Sequence, residues 1–193
     1  MLMLVVGLIL FLGIHSTRIF ADGWRSGTIA RIGPLPWKGL YSVISLVGFV
    51  VLIWGFRAAR QDTLVLWTSP AWMKHVTALL MVFAFILLVS AYIPRNSIKA
   101  RLHHPMVLGV MLWAVAHLLT IGVASDLVLF GAFLLWAVLS FRAARQHDRE
   151  NHTVYPPGNV IGTSVAVAVG LLAWSVFALL LHGPLIGVRP LGY

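Results

Sequence analysis

Two histidines lie within long apolar segments of the sequence, where an ionisable side chain is costly. His15 stands near the end of the first apolar segment, and His117 stands near the end of the fourth, with Trp113 one turn before it. Ionisable residues at membrane depth tend to face the interior of a helix bundle and to mark functional sites. An imidazole ring nitrogen can also bind a metal. The two histidines are therefore the first candidates for a cofactor site, and Trp113 is expected to line it.

The positions of the two histidines along their segments predict how far apart they lie. Each is about four residues, or about 6 Å, beyond the midpoint of its predicted helix. Because those helices are expected to run antiparallel, the separation along the membrane normal is on the order of 12 Å. A separation of this order between two helix positions suits two imidazoles on opposite faces of a haem. The alternative, that each is a buried neutral histidine bonded to a neighbouring helix, stays open.

Three basic residues are candidates for an outer part of such a site. Arg18 and Arg101 are predicted at the same side of the membrane, where they could anchor haem propionates. His104, before Pro105, either has a structural role at a turn or contacts a haem propionate or a substrate. The sequence has no paired-carboxylate site, no His-Glu-x-x-His motif, no phosphate-binding glycine loop and no nucleophile elbow.

The composition defines an integral membrane protein in a single domain, residues 1–193. Hydrophobic residues make up 60% and charged residues 10% of the chain, whereas about a quarter of a soluble domain is charged. There is no cysteine, which excludes disulfides and thiolate ligands. Although the formal charge is +9, the Lys and Arg residues flank apolar segments. They favour contact with anionic membrane lipids over nucleic acid.

The apolar segments predict an all-α, polytopic protein with six transmembrane helices. A span needs about 20 mainly apolar residues, and the first segment is expected to be a span rather than a cleaved signal peptide because no small-residue cleavage site follows it. Asp126 is expected to cap the fifth helix. The six segments cover residues 2–21, 40–56, 76–93, 106–121, 127–141 and 160–181.

The distribution of Lys and Arg predicts the orientation of these helices. The loops after helices 1, 3 and 5 carry ten of these residues and the other side carries four. The positive-inside rule therefore places the loops after helices 1, 3 and 5 in the cytoplasm.

Two features indicate that the chain is composed of related halves. Phe-Arg-Ala-Ala-Arg-Gln occurs at residues 56–61 and again at 141–146, and a glycine stands eight residues before each of the two central histidines. Helices 1–3 and 4–6 are therefore a candidate pair of inverted three-helix repeats. The alternative is that the two hexapeptides are unrelated, because helices commonly end in an aromatic residue followed by arginine.

The chain carries a series of ordered motifs. They are Gly-Ile-His-Ser-x-Arg at 13–18, Trp-Lys-Gly-Leu-Tyr-Ser at 37–42, Leu-Trp-Thr-x-Pro-Ala-Trp at 66–72, Ile-Lys-Ala-Arg-Leu-x-His-Pro-Met at 98–106, Leu-Trp-Ala-x-Ala-His-Leu at 112–118 and Asp-Leu-x-Leu-Phe-Gly at 126–131. In these motifs the chain resembles the bacterial NnrU family from end to end. That family is associated with nitrite and nitric oxide metabolism in the bacterial inner membrane.

The NnrU family is in turn similar to the plastid 15-cis-zeta-carotene isomerase, a membrane protein with haem b and histidine axial ligands. That resemblance implies haem b here, with His15 and His117 as the axial ligands. The isomerase has a cysteine three residues before its second histidine, where this chain has Ala114. An exchange of His for Cys at the iron is therefore not expected.

The residues and the resemblances together leave three functions open. The first is a bis-His haem b protein acting in redox or ligand chemistry of nitrogen oxides, with a redox partner, or in isomerisation of a polyene. The second is a cofactor-free accessory or assembly factor that binds components of nitric oxide reductase. The third follows from a fainter resemblance to isoprenylcysteine-type methyltransferases, in the Arg101, His104, Pro105 and Gly109 segment.

Overall fold

The computed structural model describes residues 1–61, 64–120 and 122–190, which fold into helices and connecting loops, so the predicted all-α class is confirmed. The longer helices are α1 (Leu2–Phe20), α3 (Pro34–Ala59), α4 (Met73–Ser90), α6 (Pro105–Thr120), α7 (Ala124–Glu150) and α8 (Val160–Val176). The shorter elements are α2 (Asp22–Ile32), α5 (Ser97–Leu102), a π-helical turn (Phe177–Leu181) and α9 (His182–Ile186).

Five helical segments are long and apolar enough to cross a membrane, which fits a multi-pass membrane protein. They are Leu2–Phe20, Pro34–Ala59, Met73–Ser90, Ala124–Glu150 and Val160–Ile186. Helix α6 is apolar but has only 16 residues, about 24 Å of helix against a hydrocarbon core of about 30 Å. The predicted count of six spans is therefore not confirmed. The predicted end of that helix, Ile121, and the acidic Asp62 lie outside the described residues.

Several predicted helix boundaries were wrong. Helix α3 begins at Pro34 rather than at residue 40, because prolines are well tolerated in the first turn of a helix. Helix α7 continues to Glu150, nine residues beyond the predicted end. The predicted loop from residue 22 to 38 contains α2. Asp126 is not a cap but the third residue of α7, where its carboxylate is buried without a hydrogen-bond partner within the described chain.

The helices pack side by side in the order α3, α1, α7, α6, α4 and α8. Helix α7 therefore lies between the two helices that carry the candidate histidines. Its Leu129 and Phe130 are buried with Leu8 of α1, Phe56 of α3 and Ala114 of α6. The main hydrophobic core is thus the region around α7.

Glycines set the closest helix contacts, as small residues do between transmembrane helices. Gly7 of α1 packs against the backbone of Leu52 in α3, and Gly55 of α3 packs against Leu4 in α1. Gly109 of α6 packs less closely on Ala84 of α4. A Cβ atom at Gly7 or Gly55 would collide with the backbone of the neighbouring helix.

The contacts of the two halves differ, so the inverted repeat is not confirmed. Helix α4 packs extensively on α6, yet the corresponding pair under the repeat, α8 and α1, makes no comparable contact in the described part of the chain. The two hexapeptide copies also differ: the first spans the end of α3 at Ala59, and the second lies inside α7.

Candidate functional site

His15 is held in one orientation by its own helix and by three aromatic rings. Its Nδ1 atom lies 2.7 Å from the carbonyl oxygen of Phe11, one turn earlier in α1. The ring centroids of Phe11, Tyr41 and Trp136 are 4.4, 5.2 and 6.1 Å from that of His15. The imidazole is therefore half-buried in an aromatic setting.

His117 has the same local arrangement in α6. Its Nδ1 atom lies 2.8 Å from the carbonyl oxygen of Trp113, again four residues earlier. The ring stacks on Phe130 of α7, with centroids 4.5 Å apart and planes inclined by 19°. Trp113, the aromatic residue that we expected to line the site, is 5.6 Å away.

The shared hydrogen bond determines what both imidazoles can do. A carbonyl oxygen can only accept, so Nδ1 carries the proton and Nε2 carries a lone pair in the neutral ring. Neither Nε2 atom has a hydrogen-bond partner among the residues that the structure describes. A hydrogen bond from the other ring nitrogen is how proteins orient histidine ligands of metals. Each imidazole can therefore donate the lone pair of its Nε2 atom to a metal.

Helix α7 relates the two histidines to each other. His15 contacts Trp136 and His117 contacts Phe130, and these residues are six positions apart, about 9 Å along the helix. The sequence predicts a larger separation of the two histidines, on the order of 12 Å along the membrane normal. Between the imidazoles lie three rings: the centroid of Phe133 is 5.9 Å from that of Phe11 and 5.2 Å from that of Trp113.

The donor set suits a cofactor that brings its other ligands with it. Within the described residues there is no group of three or more His, Cys, Asp or Glu side chains that could hold a bare metal ion. Two neutral imidazoles in an apolar, aromatic region match the axial needs of a haem, whose porphyrin nitrogens supply the remaining ligands. In this respect the residues present fit haem. A haem could lie between the two imidazoles only if the rings of Phe11, Phe133 and Trp113 moved.

An apolar groove of about 400 Å³ runs between α1 and α7 beside His15. Its lining includes Leu12, Gly13 and Ser16 on α1 and Ala132 and Trp136 on α7. Because Trp136 also contacts the imidazole of His15, the groove gives that end of the site an opening toward the lipid.

His104 lies in a separate polar cluster at the end of the bundle. Its Nε2 atom is 2.8 Å from Asp148 Oδ2, and the Tyr155 hydroxyl donates to the same carboxylate at 3.0 Å. His103 stacks on Tyr155 with centroids 4.3 Å apart and is hydrogen-bonded to Arg145. We call these five residues the polar cluster. It joins the start of α6 to the end of α7.

The two candidate arginines, Arg18 and Arg101, are both exposed. Arg18 is one turn beyond His15, and its charge reaches Tyr155 of the polar cluster. Arg101 is on the short helix α5. Neither forms a hydrogen bond or ion pair in the part of the chain that the structure describes, so both remain available to an anionic group.

Sequence reasoning missed most of the polar cluster. We expected residues 142–159 to be a loop, whereas α7 places Arg145 and Asp148 one turn apart on a helix facing His104. The spacing of these two residues was the available signal. It was hidden because the apolar character of the helix ends at Phe141, well before the helix does.

Tyr155 is expected to hold its proton to unusually high pH. Burial and the hydrogen bond to the Asp148 carboxylate raise the pKa of Tyr155 to about 12, against a usual value near 10. The cluster's contribution to stability is therefore complete below about pH 10 and is lost as the pH rises toward about 12. Asp148→Asn should move the Tyr155 pKa toward its usual value.

The titration can be followed by tyrosinate absorbance, with Tyr155→Phe subtracted to isolate this residue. Tyr92→Phe is the matched control, because Tyr92 is 76% exposed. Equal midpoints for Tyr155 in the wild-type and Asp148→Asn proteins would contradict the assignment.

The apolar helices and the paired, oriented histidines define a polytopic helical membrane protein with a candidate cofactor site. A family model described as NnrU protein matches residues 3–190. The chain therefore belongs to the NnrU family, which confirms that resemblance. Neither a curated protein nor a solved structure matches the chain, and the similarity to the plastid isomerase stays a prediction.

Proposed function

We propose that this NnrU family protein binds haem b in the membrane, with His15 and His117 as axial ligands. The observation that supports the proposal is the matched pair of bonds from Nδ1 to the carbonyl four residues earlier. The same bond leaves Nε2 without a partner in both rings, and both rings contact helix α7.

Each nearby residue has a defined part in this proposal. The carbonyls of Phe11 and Trp113 accept from Nδ1 and fix the orientation of the two imidazoles. Phe130 and Trp136 restrict the rings from the side of α7. Arg18, one turn from His15 and exposed, is placed to pair with a propionate. His104 is already bonded to Asp148, so its contribution would be indirect.

Bound haem would supply one-electron chemistry and, where an axial histidine dissociates, a site for a small ligand. Membership of the NnrU family supports a role linked to nitrite or nitric oxide metabolism in the bacterial inner membrane, with a redox partner. Isomerisation of an apolar polyene is the alternative use of the same site, and the groove beside Trp136 would admit such a molecule. Ala114 is fully buried and provides no thiolate.

A cofactor-free role is the second candidate, and one observation favours it. The rings of Phe11, Phe133 and Trp113 already pack between the two imidazoles. In that case the histidines serve packing alone, and the protein acts as an accessory or assembly factor for nitric oxide reductase. It would then co-purify with components of that enzyme and tolerate substitution of both histidines.

The methyltransferase is the third candidate. The structure brings Asp148 of α7 to His104, which lies in the segment that carried the fainter resemblance. A methyltransferase function predicts that the protein binds S-adenosylmethionine and that His104→Ala abolishes this binding. Calorimetry with the purified protein would measure that binding.

The test of the proposed function is a UV–visible spectrum of the detergent-purified protein, oxidised and then reduced with dithionite. We expect a sharp Soret band, resolved α and β bands on reduction, and about one haem per chain by pyridine hemochromogen assay. A featureless spectrum from cells with ample haem would remove this proposal. Partner pull-down would then test the accessory role.

A further inference from the structure

Helix α2 has an apolar face that the rest of the described chain leaves uncovered. Trp24, Thr28 and Ile32 recur at spacings of four residues, which places them on one side of the helix, with Arg25 and Arg31 at its borders. None of the residues of α2 is buried, and Trp24 is 61% exposed. The opposite side carries small or polar residues: Gly23, Ser26, Gly27 and Ala30.

The position of α2 in the chain places it at the surface of the membrane. It connects α1, which ends at Phe20, to α3, which begins at Pro34, and both of those helices are long and apolar enough to span. The indole of Trp24 packs edge-on against that of Trp37 in the first turn of α3, with centroids 5.8 Å apart. Tryptophans are enriched at this depth of a bilayer. Helix α2 therefore has the features of a helix lying in the interface.

The charges around α2 are unbalanced. Arg25 is paired with Asp22 at 3.0 Å. Arg31 and Lys38 are exposed and have no acidic partner within the residues that the structure describes. Arg31 borders the apolar side of α2, and Lys38 lies near the start of α3. This surface, residues 24–38, combines an apolar face with two unneutralised cations.

We propose that residues 24–38 form a binding surface for anionic phospholipid headgroups, with Arg31 and Lys38 holding the phosphate and the face of Trp24 and Ile32 resting on the acyl chains. Charge complementarity supports a lipid phosphate. The apolar face of α2 is also continuous with the lipid-facing sides of α1 and α3, where Phe20 and Leu35 are 71% and 77% exposed. A soluble protein partner would not need an apolar surface that continues onto the lipid-facing sides of α1 and α3.

The test uses the full-length protein in nanodiscs of phosphatidylcholine alone or mixed with phosphatidylglycerol. Thermal unfolding is followed by tryptophan fluorescence, and bound lipid is counted by native mass spectrometry. We expect phosphatidylglycerol to raise the unfolding midpoint of the wild-type protein and to be retained preferentially. Arg31→Gln with Lys38→Gln should lose most of that shift and of the retained lipid. High salt should weaken both effects.

The matched control removes the same charge from the other end of the bundle. Arg57 and Lys74 are both exposed there, and Arg57→Gln with Lys74→Gln should keep the wild-type response. Equal losses in the two double variants, or no response in the wild-type protein, would overturn the proposal. Inorganic phosphate added to phosphatidylcholine discs separates the two phosphate sources: if it reproduced the shift, the site would bind free phosphate and the lipid assignment would be wrong.

Discussion

Proteins with His15→Ala or His117→Ala are expected to lose the six-coordinate haem spectrum, and the double variant is expected to lose bound haem. Each substitution removes one Nε2 donor, so the single variants should give five-coordinate haem with a shifted Soret band. Loss of the hydrogen bond to Phe11 or Trp113 should cost only about 1 kcal/mol of folding free energy. The proteins should therefore remain folded. Absorption spectra and the haem content per chain measure the effect.

A control histidine and a chemical rescue separate ligation from folding. His75 is exposed at the start of α4, and His75→Ala should keep the wild-type spectrum. Imidazole added to His15→Ala or His117→Ala should enter the vacated space and restore six-coordination, which a misfolded protein would not permit. A double variant with an unchanged haem spectrum would exclude these two residues as the axial ligands.

Replacing Gly7 by alanine should destabilise the fold far more than the same change at Gly13 in the same helix. A Cβ atom at Gly7 would lie 2.5 Å from the Cα and N atoms of Leu52 in α3, whereas one at Gly13 would meet nothing within 4 Å. Both substitutions gain helix propensity, up to about 1 kcal/mol. At Gly7 the forced separation of α1 and α3 should cost about 1–3 kcal/mol.

The difference can be measured as the free energy of unfolding in mixed micelles titrated with dodecyl sulfate. Gly55→Ala should behave like Gly7→Ala, because its Cβ would collide with the backbone at Leu4 and Met3. Comparable stabilities for Gly7→Ala and Gly13→Ala would mean that the two helices are not held together through these glycines.

The apolar cores of the helices were predictable because twenty consecutive apolar residues have few alternatives to a spanning helix. Where the polarity changes, prediction failed for physical reasons. Residues 142–150 are charged and were interpreted as loop, yet α7 continues through them. Its last turns are stabilised by a bond between Gln146 and Glu150 and by the contact of Asp148 with His104. Only the second of these depends on a residue distant in sequence.

Helix α2 was missed because three of its features conceal it. It is short, it contains Gly23 and Gly27, and it follows α1 after a single intervening residue, Ala21. When hydropathy is averaged over a window of the length of a transmembrane helix, the values of α2 are merged with those of its neighbours.

For the candidate site, the choice of His15 and His117 followed from the cost of burying an imidazole. The bond from each to its own helix, and the rings packed between them, depend on side-chain rotamers and on the placement of α7. A single sequence holds no direct signal for these.

The shortness of α6 has a consequence for the bilayer around it. With about 24 Å of helix, α6 is shorter than the hydrocarbon core that its longer neighbours are long enough to cross, and a bilayer around it would thin or let water approach its ends. Val115 and Leu119 on its surface are 37% and 43% exposed, so the thinner region would border lipid. His117 lies only one turn from the end of α6 at Thr120. A small polar molecule would therefore cross less hydrocarbon to reach the imidazole of His117 from that leaflet than a uniform slab would require.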